Sequence, residues 1–580
     1  MKRRIIALLL IALPLIAAAQ VQLTIKVDSA GTLSRQLPDS NKVSINELKI
    51  SGKLNGSDLK VLQQLMNRQR MKKQSDDQLV ELDLQDAELT DVKDGFRTIT
   101  NQLPAAFFAN CKSLETVVLP RRLNTVSKNC FSGCTGLKDV ILPDSLILID
   151  DYAFNRCANI TSIKLPAMLQ KIENHAFDGC SSLTSIEIPE NVAVIDNFAF
   201  AHCTNLEKVF LNSPVNRIAS SAFLECERLH QVKLPKSVTT IGDEAFRKCR
   251  SLESVSFPES LTEIGSNAFE GCQSLKQVEI RTMKKIKKNA FKDCTSLTTV
   301  TLGGVTELES DIFFNCSSLH QATIDGTLSA LPADLFYQCL SLDSIALPRG
   351  IKSIGSQAFF NCKSLKSIVL PEALSKIGDH AFEDCTNLKH ICIPSLVKRI
   401  GNATFAGCLS LDSISIIGFV EKIEDNLFRY CRSLRIVKLP VSVKSIGDNA
   451  FEQCSLLSQI TLPISITSIG DNAFEKCVSL TSIVIPPACT TIGSAAFREC
   501  NSISRIELPA AIKKIGSNAF AKCVSLQEFV CSASTPPTIS HSTFKGVPTN
   551  NCRIIVPRGA KSTYRNNKSW GKLPLIAELH

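Results

Sequence analysis

Across residues 454–476 the apolar side chains fall at Cys454, Leu457, Ile460, Leu462, Ile466, Ile469, Ala473 and Phe474. Leu457-x-x-Ile460-x-Leu462 closes on a period-2 pair, the pattern of a short half-buried strand. Pro463 follows at once; it has no N–H for a ladder and so marks the strand end. Gly470-Asp471-Asn472 is turn chemistry, with Gly470 expected at positive φ. Phe474, Cys477 and Leu480 then step by three, which predicts a tight helical or 3₁₀ turn leading back to the next strand.

One such unit leaves part of its apolar set uncovered, and copies stacked side by side cover it. The copies are present. Phe-x-x-Cys recurs nineteen times, with its Cys at 111, 134, 157 and onward to 523, in steps of 23 residues apart from two steps of 22 around Cys294. The predicted fold is a repeat solenoid of short parallel strands joined by turns, closed at both ends by caps. Read as Cys249…Leu252…Val255…Phe257-Pro258…Leu261…Ile264-Gly265…Ala268-Phe269, the unit resembles the bacterial BspA-like leucine-rich repeat family. The resemblance covers about residues 101–530. It implies a secreted or surface bacterial protein that serves as an adhesion or interaction scaffold.

The ends differ from the repeats. Lys2, Arg3 and Arg4 precede an apolar run from Ile5 to Ile16 and then Ala17-Ala18-Ala19, which reads as an export signal over 1–19 cut between Ala19 and Gln20. A buried N-terminal strand is the alternative. The run is short for a membrane span, no second span follows, and no Cys sits at the cut to carry a lipid. Residues 20–100 are expected to form an N-terminal cap. In it Ser57 would cap a helix bearing Leu59, Leu62, Leu65 and Met66 on one face, residues 67–77 are polar, and 79–84 alternates like an entry strand. Past Cys523 the pattern fades into a C-terminal cap over 531–580 that contains the single Trp, Trp570.

Composition changes the picture in two places. The 65 basic and 55 acidic residues leave a mild excess of +10, three charges of which lie in the leader, so nothing here argues for nucleic acid or membrane. The 24 cysteines suggest disulfides in an exported chain. Nineteen of them, however, sit one unit apart. Their Cβ atoms would run in parallel about 4.8 Å apart, where a disulfide wants about 3.8 Å and facing bonds. These are expected as buried reduced thiols. Cys130 is expected in the core, Cys392 on the outward strand position and Cys489 in a connection. Cys531 and Cys552 flank the Pro-rich turn of the cap and either pair or stay free.

No chemistry forms a column. The eight His do not share columns in adjacent units, and no G-x-S-x-G, H-E-x-x-H or phosphate-loop pattern occurs. Asp76-Asp77 reads as a solvated turn. No enzyme, cofactor or metal site is expected, and no cleft. The outward strand column carries a single aromatic, Phe210, which favours a protein ligand over glycan or nucleic acid. The candidate binding residues lie where the repeat becomes irregular: Phe210 and Lys233, then Arg281, Lys284, Lys285, Lys287 and Lys288 in the short units. That basic run is either a docking patch for an acidic partner or a solvated face. The expected function is a non-catalytic, monomeric scaffold at the cell surface or secreted, with the periplasm also open. A passive stalk and a glycan-binding surface remain as alternatives.

Overall fold

The computed structural model describes residues 21–37, 45–71, 79–94, 97–574 and 576–578. The expected export signal, its cut at Ala19–Gln20 and the Asp76-Asp77 pair lie outside these residues. The chain forms two compact units, one reaching to Pro214 and one starting at Val215.

In the first unit a parallel sheet takes its strands in the order Val21–Val27, Ile45–Leu54, Glu81–Asp83, Thr116–Val118, Asp139–Ile141. The entry strand expected at 79–84 is therefore the third of this sheet, with Leu82 opposite Val117. The helix Gly56–Met71 buries Leu59, Leu62 and Met66, while Leu65 is half-buried. Its cap is Asn55 and not Ser57. The Asn55 side-chain oxygen accepts the N–H of Ser57 at 2.9 Å and of Asp58 at 3.3 Å. The Asp58 carboxylate returns the bond by accepting the Asn55 N–H at 3.0 Å, a reciprocal capping box that Ser57, one residue inside the helix, cannot form. Buried Asp58 also accepts the N–H groups of Gly31 and Leu33, which ties the preceding loop to the helix start.

Most repeats contribute to three ladders. The first is the strand ladder, as in Arg505–Leu508 beside Glu528–Cys531. A second, two-residue ladder runs past the proline turn, where Ser445-Ile446, Ser468-Ile469 and Thr491-Ile492 pair in parallel. It had no sequence signal of its own. The third lies on the turn. The N–H groups of Asn449, Phe451 and Gln453 donate to the carbonyls of Asp471, Ala473 and Glu475 in the next coil, at 2.7–2.8 Å. Asn449 and Gln453 hold φ of 55° and 59° to aim these groups, and the same two columns are left-handed through the repeats. The positive φ expected at Gly470 is at Asn472 instead, with φ 54°. Gly470 serves close approach: a Cβ there would meet Asp448 Oδ1 at 2.5 Å and Asp448 N at 2.7 Å. The step of three is a pair of i→i+3 bonds, Cys477 N to Phe474 O and Leu480 N to Cys477 O, both 3.1 Å.

The ladder Phe rings stack beneath these turns. Phe451, Phe474, Phe497 and Phe520 lie 5.1–5.6 Å apart within 5° of parallel, close to the strand spacing. At the C-terminal cap Phe544 continues the stack 5.8 Å from Phe520, and Phe529 packs edge-on against both rings. Trp570 is fully buried there and donates Nε1–H to the Pro537 carbonyl at 2.8 Å.

Candidate functional site: the surface of the coils

All nineteen ladder cysteines are buried, as are Cys130, Cys489, Cys531 and Cys552. Cys489 occupies the core column of Ile466, so its place in a connection is an inward-facing one. Cys392 alone is exposed. Burial pushes the ladder thiols up, Cys523 to about 12 and Cys454 well above its ordinary value. The thiolate that nucleophilic or redox chemistry needs is therefore disfavoured at these positions. Cys531 and Cys552 are not joined. Strand register sets Arg553 beside Glu528, so Cys552 falls four positions along the strand from Cys531, about 13 Å away at 3.3 Å per residue. The Cys531 thiol lies 3.2 Å from the Tyr564 hydroxyl, which donates to the Ala533 carbonyl.

Phe210 lies on the strand Lys208–Leu211 of the first unit and is 52 % exposed. Lys233 is exposed on Gln231–Lys233 of the second. The basic run is interleaved with acid. Arg281 pairs with Glu279 at 2.9 Å, and Lys285 with Glu307 at 2.6 Å and Glu309 at 3.3 Å. Lys287 meets Glu263 at 2.9 Å and Asp243 at 3.7 Å, and Lys288 meets Asp311 at 3.6 Å. Hydrogen bonds that Lys285 donates to Glu307 and Lys287 to Glu263 hold these ammonium groups protonated to above their usual range. Lys284 is exposed. The stretch is thus a mixed-charge face, because the neighbouring coils set carboxylates beside it. Arg281 also borders a shallow cleft of about 290 Å³ with Phe257, Gln277 and Glu279, where the sequence implied none.

Two clusters escaped the column test. His175 and His202 both present Nδ1 to the Asp178 carboxylate, at 2.9 and 2.7 Å. They come from different columns of adjacent coils, so a search within one column cannot pair them. His175 is also sandwiched between Tyr152 and Phe198, 4.5 Å from each. Phe314, Tyr337 and Phe360 form a second half-buried stack, with the Lys292 ammonium 5.0 Å from the Phe314 ring centroid. Aligning the position two before each Cys would have found it. Among the described residues no three His, Cys, Asp or Glu side chains converge as metal ligands, and no helix is long and apolar enough to cross a membrane.

Residues 101–230, 216–339, 329–456 and 421–551 match the BspA type leucine rich repeat region. The chain belongs to the BspA-type leucine-rich repeat proteins. A leucine-rich repeat protein from Bacteroides ovatus is similar at 30 % identity over 59 % of this chain and 88 % of its own, with a TM-score of 0.53. A leucine rich cell surface protein from Faecalibacterium prausnitzii shares 30 % identity over 55 % of this chain and 90 % of its own, with a TM-score of 0.37. No curated protein sequence matches the chain. In this BspA-type chain the buried Phe and Cys recur in each repeat, and the exposed strand face differs from coil to coil.

Proposed function

We propose that this BspA-type protein is a non-catalytic scaffold, exported through residues 1–19 and displayed at the cell surface, which binds a protein ligand through its outward strand face. One observation carries this reading: a uniform core supports a non-uniform surface. The Phe and Cys columns repeat with little change, whereas the outward column runs Glu187, Phe210 in one unit and Lys233, Ser256, Glu279, Thr301 in the other. Rigid core and variable face are what a recognition surface needs, since ordering costs are met in folding and specificity is left to side chains. In this reading Phe210 marks part of the face of the first unit; in the second unit Lys233 marks one part and the stretch Arg281, Lys284, Lys285, Lys287, Lys288 another. The paired carboxylates make the latter a source of register and selectivity more than of net attraction. The test has two arms. Protease shaving of intact cells should release peptides of the chain. Immobilised protein should retain a ligand from matrix or surface extracts, and Phe210→Ala with Lys233→Glu should lose it. Protection from shaving together with unchanged retention contradicts the proposal.

A further inference from the structure

The turn after the first strand is polar or charged in most coils, with Arg121-Arg122, Glu190-Asn191, Lys236-Ser237, Glu259-Ser260 and Arg349-Gly350 at its tip. Over 395–488 of the second unit it is not. The tips there are Leu396, Ile417, Phe419, Val441 and Ile464, which are 56 %, 59 %, 63 %, 85 % and 81 % exposed. Pro487 continues the row and is exposed. Strand pairing of His390 with Ser413, Ser413 with Ile436, and Ser445 with Ser468 places these turns in successive coils, so the tips form one ridge about 20 Å long at the strand spacing. The ridge is held rigidly. Ser465 Oγ lies 2.8 Å from the Val441 carbonyl and 2.6 Å from the Val443 carbonyl, and Ser442 Oγ lies 2.8 Å from the Val420 carbonyl.

The turns that carry and flank the ridge are themselves mainly basic. In the six turns from 394–399 to 509–514 there are six basic residues and one acid, Glu421, which pairs with Lys444 at 2.8 Å. Lys422 is engaged by Glu424 and Asp425. Lys398, Arg399, Lys513 and Lys514 are exposed at the flanks, and Lys438 stands exposed on the adjoining strand. An apolar row of this extent on a soluble face marks a contact surface.

We propose that this ridge docks on an anionic lipid bilayer, the aliphatic tips entering the headgroup–acyl boundary and the flanking cations lying at the phosphate level. Three observations favour lipid over a protein. The tips are aliphatic or Phe, without the Tyr, Trp or Met that mark protein hot spots, and the flank is rich in Lys, which protein interfaces avoid. They stand out singly, each more than half exposed. The pairing of apolar tips with adjacent cations is the pattern of interfacial membrane binding. The inference does not rest on the proposed protein ligand, which uses the strand face.

Cys392, the one exposed thiol, lies four residues before Leu396 and serves as a local reporter. The full chain labelled there with an environment-sensitive dye is titrated with vesicles of phosphatidylglycerol and phosphatidylcholine, and with phosphatidylcholine alone. The dye emission should shift with the anionic vesicles, at least tenfold less tightly in the Val441→Asp/Ile464→Asp double variant. Lys398→Glu with Lys513→Glu should weaken binding and flatten its salt dependence. Both pairs are exposed, and unchanged circular dichroism verifies the fold. No shift with anionic vesicles, or equal shifts in the double variant, overturns the proposal. A vesicle-independent dimer that the double variant dissolves also overturns it, by assigning the ridge to a second copy of the chain.

Discussion

The thiol of Cys454 lies 3.2 Å from the carbonyl of Phe428 in the preceding coil, and that carbonyl also accepts the Cys431 amide at 3.1 Å. The relation recurs along the chain at 2.9–3.3 Å, as in Cys134 with Phe108 and Cys203 with Phe177. It explains why the column is Cys and not simply any small apolar residue: the thiol fills the space and satisfies a second lone pair of a buried carbonyl. Cys454→Ala should cost about 1–3 kcal/mol from the cavity and the lost bond. Cys454→Val restores the volume without a donor and should recover part of this. Urea unfolding of the variants checks both; a Val variant as stable as the parent would remove the bond from the account.

Buried thiols make the fold sensitive to alkali. Burial holds Cys523 protonated up to about 12 and the fully buried ladder thiols well above their ordinary 9.0. In the unfolded chain they ionise once the pH passes that ordinary value. Their contribution is therefore complete below pH 9 and lost as the pH climbs through the raised values, by about 1.4 kcal/mol per pH unit for each fully buried thiol. The urea midpoint should be flat to pH 9 and then fall steeply. A chain with Cys454, Cys477 and Cys500 changed to Ala should fall less steeply, and an equal slope would contradict the linkage.

Glycine and asparagine in the turn do different jobs. Gly470→Ala forces a Cβ to within 2.7 Å of the Asp448 backbone and should cost about 1–3 kcal/mol or more. Asn472→Gly relieves a left-handed residue at φ 54° while freeing the unfolded chain, and the two effects, each about 1 kcal/mol, should nearly cancel. Thermal unfolding of the two variants distinguishes them, and equal losses would reverse the assignment.

Much of this was legible in the sequence because stacking turns a period into contacts. Phe, Cys, Leu and Ile columns are read off a register of 23, and every ladder Cys is indeed buried. What was not legible depends on backbone geometry or on neighbours in different columns. The second ladder of Ser468-Ile469 has only two residues, too few for a periodic signal. The role of Gly470 depends on where Asp448 lies in the coil before it. The His175–Asp178–His202 group joins two columns. The basic run from Arg281 read as a patch because the carboxylates that balance it, Glu263, Glu307 and Glu309 among them, belong mainly to other coils.

Inside and outside should separate by energy. Phe382 is fully buried between Phe359 and Phe405, at 5.1 and 5.7 Å, and Phe382→Ala should cost about 3–5 kcal/mol. Lys366 is exposed, and Lys366→Ala should stay within about 0.5 kcal/mol. Denaturant titration measures both.

The central claim is that every coil buries the same reduced thiol beneath the same ring. Counting thiols by intact mass after alkylation under non-reducing conditions tests it most directly. The account expects one rapid adduct on the native protein, at Cys392, and 24 adducts in denaturant, including Cys531 and Cys552. Several rapid native adducts, or a denatured count short by pairs, would contradict it.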